Sequence, residues 1–157
     1  MTTQIQTDYQ ATIVVPVSAH EAFEGISQVS SWWTKNFKGS ANQLGDTFSV
    51  HFGETTSSFE IAEMVPDQKI VWYVKDCNLH WLKDKKEWKG TRILWEILPI
   101  NGATEIHMTH LGLKPGIECF EDCTIGWNHY VRESLFKLLS EGKGVPDHPN
   151  HSARDRQ

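Results

Sequence analysis

Cys119 and Cys123 stand four residues apart, so a helix carries both thiols on one face. Two thiols at that spacing supply half of a tetrahedral zinc site, which needs two more ligands. His129 points to another part of the helix, and Cys77 belongs to a different element. A helix N-terminus lowers a thiol pKa, but Glu118, Glu121 and Asp122 beside the pair oppose that effect. The cysteines are expected to be reduced and structural, with no metal, because free cysteine behaves as a small apolar side chain. A redox role for the pair stays open.

His107 and His110 lie three apart in a strand-like stretch and face opposite sides, so they cannot chelate one ion together. His110 shares its side with Ile106 and Met108. Two readings follow: a cavity histidine that orients a polar head group or shuttles a proton, or a core histidine satisfied by local hydrogen bonds. Glu96 and Glu105 sit on the polar side of their strands, which disfavours a paired-carboxylate catalyst. There is no Gly-x-Ser-x-Gly elbow, phosphate loop, His-Glu-x-x-His or Cys-x-x-Cys. No catalytic residue, cofactor or metal is assigned. His148 and His151 near the C-terminus are weak as metal ligands.

Trp32 and Trp33 are adjacent, and adjacent side chains do not share one face of a helix or strand. One is expected in the core and its neighbour at a cavity mouth or in solvent. The plain alternative is that both close one end of the domain.

The elements that position these residues are legible as patterns. "YQATIVVPV" alternates as a strand, with Tyr9, Ala11, Ile13, Val15 and Val17 on one face. Ser18 and Glu21 have the spacing of a capping box, and a short helix with Ala22, Phe23 and Ile26 inside follows. A second short helix is expected near Ser30. Strand signals then recur in "LGDTFSVHF", "SFEIAEMV", "KIVWYVKDC", "TRILWEIL" and "TEIHMTHLGL", with Asn101-Gly102 as a tight hairpin turn. "HWLKDKKEWKG" reads as an extended hairpin tip across which Trp81 and Trp88 pack, or as a lid over a cavity entrance. From Glu118 to Glu141 the period is helical, with Phe120, Thr124, Trp127, Val131, Leu135 and Leu138 in one apolar stripe. Gly142 ends it. Residues 1–143 are expected to form one domain, and the polar residues 144–157 a mobile tail.

The 157 residues and 18.0 kDa fit one core. A net charge of -5 with scattered basic residues argues against nucleic acid, which needs a positive stripe. No apolar run approaches the roughly 20 residues needed to span a bilayer, and the N-terminus lacks a signal-peptide pattern, so a cytoplasmic location is expected. Strands followed by one long helix imply an α+β fold in which the sheet curls around the helix.

The order and spacing of "VVPVSAHEAFEGI...WW", "LGDTFSVHFG", "EMVPDQKIVWYV", "EWKGTRILWEI", "TEIHMTHLGL" and "GWNHYVRESLFKLLSEGKG" carry a family likeness. The chain resembles the SRPBCC superfamily of helix-grip proteins, which includes START domains and the birch pollen allergen. Within it, the chain is most similar to the group related to the carboxy-terminal domain of the heat-shock-protein ATPase activator. The resemblance implies a curved antiparallel sheet gripping the C-terminal helix, with a hydrophobic cavity between them. Phe48, Phe59, Ile61, Trp72 and Trp95 would line it from the strands. Ile106, Met108 and His110 would line it from the last strand, and Trp127 and Val131 from the helix, with Trp32 or Trp33 at the mouth. The expected partner is an apolar or amphipathic small molecule. The alternatives are a co-chaperone-like module with a chaperone partner, and a cavity enzyme of cyclase, hydrolase or dehydratase type using His110 and a cavity water.

Overall fold

A computed structural model of the chain describes residues 8–147. The first strand, β1 (Tyr9–Val15), precedes α1 (Ala19–Ser27) and α2 (Val29–Trp32). Six strands follow: β2 (Phe37–Gly39), β3 (Thr47–Phe52), β4 (Thr55–Val65), β5 (Lys69–Asn78), β6 (Arg92–Ile100) and β7 (Ala103–Leu111). They form one seven-stranded sheet in the order β1-β7-β6-β5-β4-β3-β2, with every neighbouring pair antiparallel. The C-terminal helix comprises α3 (Phe120–Trp127), a π-helical segment (Asn128–Leu135) and α4 (Phe136–Glu141). This is the helix-grip α+β architecture that the sequence implied.

The alternation of apolar and polar residues sets the sheet's two faces. In β1 and β7 every second side chain is buried, and the same alternation in β3 and β6 extends the buried face across the sheet. The β4–β5 pairing shifts register between Ser58 and Phe59 and again between Ile61 and Glu63. Such bulges bend a strand and raise its local twist, which suits a sheet that wraps a helix. The turn at Asn101-Gly102 joins Ile100 to its partner Ala103. Both turn residues have positive φ, 31° and 83°, as a two-residue hairpin turn requires.

The capping box on α1 is complete: the Glu21 backbone N–H donates to Ser18 Oγ at 3.1 Å, and the Ser18 N–H donates to the Glu21 carboxylate at 3.2 Å. Strand β2 has no counterpart in the sequence reading. It extends the sheet by only three residues, too few to show alternation. Gly39 makes it fit, because a Cβ there would lie 2.3 Å from the Thr47 carbonyl oxygen.

The C-terminal helix departs from the single α-helical stripe expected over 118–141. In a π-helical turn the hydrogen bonds run to the fifth residue, which rotates the following side chains. Tyr130 and Ser134 are buried beside Val131 and Leu135, whereas Phe120, Thr124 and Leu138 are only half-buried. Gly142, with φ 88°, closes α4 in the left-handed conformation expected of it.

The expected tail divides. Residues 148–157, with His148 and His151, lie outside the described residues. Residues 144–147 are docked on the domain rather than free. The Val145 N–H donates to Ser134 Oγ at 2.7 Å, and Ser134 Oγ in turn donates to the Trp32 carbonyl at 2.7 Å. The Asp147 carboxylate accepts from the Thr34 hydroxyl and, at 2.9 Å, from the Lys35 N–H. Among the described residues, no helix is long and apolar enough to cross a membrane.

Candidate functional site

The residues proposed to wall a cavity fall into two groups. Trp72 stands at the centre of the first, with its ring centroid 5.1 Å from Phe48, 5.8 Å from Phe59 and 5.3 Å from Trp95. Trp32 lies 6.3 Å from Trp72 and 5.7 Å from Trp95. Ile61, Ile106, Met108 and Val131 are fully buried around these rings. Side chains that touch in this way form a packed core. The second group, Trp33 and Trp127, lines an actual cavity, and Trp33 also stacks on Trp72 at 6.2 Å.

Both tryptophans of the adjacent pair enter the interior. The end of α2 at Trp32 supplies the change of direction, since Trp33 is already its C-cap. The Trp32 indole N–H donates to the Ile26 carbonyl at 3.1 Å, satisfying a carbonyl in the last turn of α1. Trp33, only 4% exposed, reaches the cavity.

His110 has both ring nitrogens engaged. The Trp127 indole N–H donates to Nδ1 at 3.0 Å, so the neutral ring carries its proton on Nε2. That N–H faces Thr91 Oγ1 at 2.9 Å, and the Thr91 hydroxyl donates to the Trp88 carbonyl at 2.6 Å. Complete burial pushes the His110 pKa down to about 3. The ring is therefore neutral at physiological pH, and this geometry leaves no nitrogen to hold a catalytic water.

The cavity measures about 40 Å³ and is lined by Trp33, Trp81, Trp88, Asp122, Cys123, Gly126, Trp127 and Tyr130. That is room for one or two waters. Trp88 and Trp127 are almost parallel at 5.8 Å, and Trp33 meets Trp127 at 4.9 Å with an interplanar angle of 42°. Three elements build this site: the end of α2, the loop 79–91, and one face of α3 running into the π-helical segment. A larger hollow of about 790 Å³ is an open groove between the start of α1, the β4–β5 turn and strands β6 and β7, lined by apolar residues such as Val65, Leu98 and Pro99 as well as by Asp67, Lys69, Glu96 and His107. It has no lining residue from the C-terminal helix.

Two carboxylates tie the loop 79–91 to the start of α3. Glu118 accepts from the backbone N–H groups of Lys83 and Asp84 at 2.8 and 3.1 Å. Glu87 accepts from the N–H groups of Glu118 and Cys119 at 2.9 and 2.8 Å. The hydrogen bonds from Lys83 and Asp84 hold the Glu118 carboxyl below its usual pKa. The reciprocal arrangement sets Trp81 and Trp88 against the helix. "HWLKDKKEWKG" is thus a loop fastened over the aromatic cavity.

Cys77, Cys119 and Cys123 are all free and buried. Burial pushes the Cys123 thiol well above its ordinary pKa; the neighbouring Cys119 and Asp122 push it the same way, and Trp88 opposes them. Burial also raises Cys77. The native protein is expected to leave all three thiols unreacted with an aromatic disulfide reagent at neutral pH, and to release all three in denaturant. Fast reaction of Cys123, the one thiol that lines the cavity, in the native state would show that the cavity wall is open.

Trp33 and Trp127 were expected at a cavity, and the stretch carrying Trp81 and Trp88 as a hairpin tip or a lid; Cys123 was weighed for metal and redox chemistry only, and Tyr130, Asp122 and Gly126 were not expected at a cavity. The concentration of tryptophans in three separate elements, Trp33, Trp81 with Trp88, and Trp127, was the available signal.

Residues 18–140 match the family described as activator of Hsp90 ATPase homolog 1-like protein. No curated protein matches the chain. Among solved structures, the Aha1 dimer from Colwellia psychrerythraea is 20% identical over 88% of this chain and 99% of that chain, with a TM-score of 0.72. CalU16 from Micromonospora echinospora is 9% identical over 94% of this chain and 80% of that one, with a TM-score of 0.62. DynU16, encoded in the dynemicin biosynthetic locus, is 17% identical over 86% of this chain and 48% of that chain, with a TM-score of 0.62. At these identities the structures share the fold. The family match runs from the capping box of α1 to the last turn of the C-terminal helix, and the chain belongs to the Hsp90 ATPase activator homolog 1-like family.

Proposed function

We propose that the protein binds a small apolar or amphipathic molecule at the aromatic cavity between the C-terminal helix and the loop 79–91. The observation that carries this reading is the convergence of five aromatic rings from three elements on one void. Ligand sites are mostly apolar with a few polar groups that fix orientation. Here the polar groups are the Asp122 carboxylate and the buried Trp88 indole N–H, which faces the Cys123 thiol. The packed rings around Trp72 support a firm floor beneath the site, so the concave face contributes a platform more than a long tunnel.

An apolar environment-sensitive dye is expected to bind the protein saturably and to be displaced by aromatic compounds. Trp81 is half-buried on the loop, so Trp81→Ala should weaken the dye by about tenfold, roughly 1.4 kcal/mol, while leaving the unfolding midpoint nearly unchanged. Unchanged dye affinity in that variant would remove the binding site from this cavity.

A protein-partner reading has one observation of its own. The family is described by activation of the Hsp90 ATPase, and the fold spans 99% of the Colwellia Aha1 chain. A domain of this size is therefore the whole of a chain that bears the activator's name. Saturable stimulation of chaperone ATP turnover would support this reading, and no change beside a working activator would retire it. The cyclase-like alternative has no support from His110, whose nitrogens are already engaged.

A further inference from the structure

We propose a binding site for a phosphoryl group on the outer face of the sheet, where β2, β3, β4 and β5 lie side by side. It is separate from the aromatic cavity. The cross-strand register puts Lys38 opposite Ser49, Ser49 opposite Ser58, and Ser58 opposite Asp76. Phe48, Val50, Ser57 and Phe59 beside them are buried, so the row itself faces outward by the strand period of two. The register shift between Ser58 and Phe59 leaves Lys75 without a partner on β4. Lys75 and Asp76 are consequently both exposed, between the buried Val74 and Cys77. An extra residue of this kind re-aims a side chain, and here it adds a second lysine to the row. Lys38, Ser49, Ser58, Lys75 and Asp76 line one open depression of about 520 Å³.

Charge and geometry select the ligand. Among the described residues, the side chains of Lys38, Lys75 and Ser58 have no ion-pair or hydrogen-bond partner. The acid on the row is already engaged. Lys86 donates to the Asp76 carboxylate at 3.0 Å, and this bond, with the Cys77 backbone N–H, holds that carboxyl below its ordinary pKa. Glu60, further along the same face of β4, does not line the depression. Three lysines from β2, β5 and the loop 79–91 thus face one aspartate, an excess of positive charge that their separation in sequence conceals. Neighbouring strands lie about 4.8 Å apart, so the backbones of Lys38 and Lys75 stand about 14 Å apart with two hydroxyls between them. Ser49 Oγ lies 3.0 Å from His51 Nε2. When that nitrogen carries the ring proton, the hydroxyl accepts it and keeps its own hydrogen for a ligand. A tetrahedral dianion has oxygens for both ammonium groups and both hydroxyls at once. A carboxylate has two oxygens and half the charge.

The test is an amide-resonance titration of the full chain with inorganic phosphate at pH 7.5, against sodium chloride at matched ionic strength. Phosphate is expected to give saturable shifts centred on Lys38, Ser49, Ser58 and Lys75, and chloride none. Lys38→Gln and Lys75→Gln change exposed side chains and should each weaken phosphate by about threefold, and together by about tenfold, as expected for exposed charge contacts. Lys69→Gln, at the other end of β5 and paired to Glu63 at 3.1 Å, should leave phosphate binding unchanged. Two further probes identify the source of the group: glycerol 3-phosphate, and phosphatidylcholine vesicles containing phosphatidic acid. Binding of glycerol 3-phosphate without sedimentation on the vesicles supports the site as one for a soluble phosphate monoester. Sedimentation that phosphate competes away and the double variant loses supports it as one for a lipid head group. Phosphate shifts no larger than those of chloride, or shifts that persist in the double variant, would overturn the site. Dye binding at the aromatic cavity is a separate measurement, so failure of one site is distinguishable from failure of the other.

Discussion

Replacing Trp72 with alanine is expected to destabilise the protein by about 3–5 kcal/mol. Trp72 is on β5, near the middle of the sheet, and is fully buried among Trp32, Trp33, Phe48, Phe59 and Trp95. Removing the indole leaves a void bounded by other rings, which are too stiff to collapse into it. Total stabilities of single domains run only to about 5–15 kcal/mol, so this one change takes a large share. Trp72→Phe should cost much less. It keeps an aromatic ring and removes an indole N–H that has no hydrogen-bond partner in the interior, a group whose burial itself costs about 1–3 kcal/mol. Urea unfolding at neutral pH would measure both variants. A loss under about 1 kcal/mol for Trp72→Ala, as at a surface site, would mean that the interior is loosely filled, and the small cavity beside Trp33 would no longer be the natural place for a ligand.

The same contrast explains what was legible in the sequence. Alternation along β1, β3, β6 and β7 placed Phe48, Trp95, Ile106, Met108 and His110 on the correct face, because a strand's period of two ties each side chain to its neighbours. Whether that face is a cavity wall or a packed core depends on ring orientation across strands that are distant in sequence. Phe48 and Phe59 stack at 4.9 Å, and no local pattern contains that fact. The helix shows a different limit. The stripe through Trp127, Val131 and Leu135 was visible, but Tyr130 and Ser134 were left out of it, although Ser134, seven residues after Trp127 and three after Val131, falls on the same face at a 3.6-residue period. Ser134 is the residue that receives the docked segment at Val145. Gly144 shows why that segment begins with glycine: a Cβ there would lie 2.5 Å from the Ser31 carbonyl oxygen. The site itself was half legible. Trp33 and Trp127, named from the sequence, line the cavity, whereas the carboxylate clamps at Glu87 and Glu118 join positions 31 residues apart or more, which no local pattern contains.

His110→Leu is expected to cost about 2–4 kcal/mol at pH 7, because it leaves the buried Trp127 indole N–H without an acceptor and removes a ring packed edge-on to Trp88 at 4.7 Å. The pH dependence of that loss tests the state of the ring. His110 is held neutral by burial down to about pH 3, while an unfolded histidine takes up its proton near pH 6.5. Between those values the unfolded chain binds one more proton than the folded one, so histidine-linked stability falls as pH falls, by about 1.4 kcal/mol per pH unit. Leucine does not titrate. The deficit of His110→Leu relative to the parent should therefore shrink by about 2 kcal/mol between pH 6.5 and pH 5, above the range where most carboxylates titrate. His20, raised by its hydrogen bond to Asp67, acts in the opposite sense: its contribution is present below pH 6.5 and fades as pH rises through its folded pKa. It is common to both proteins and cancels in the difference. The groups packed on His110 are the uncharged Trp88, Thr91 and Trp127, so no neighbouring charge mimics the effect. A deficit that stays constant from pH 7 to pH 5 would mean that the folded ring protonates as readily as the unfolded one. His110 would then be open to water, and an acid–base role for it would return as the better reading of the cavity.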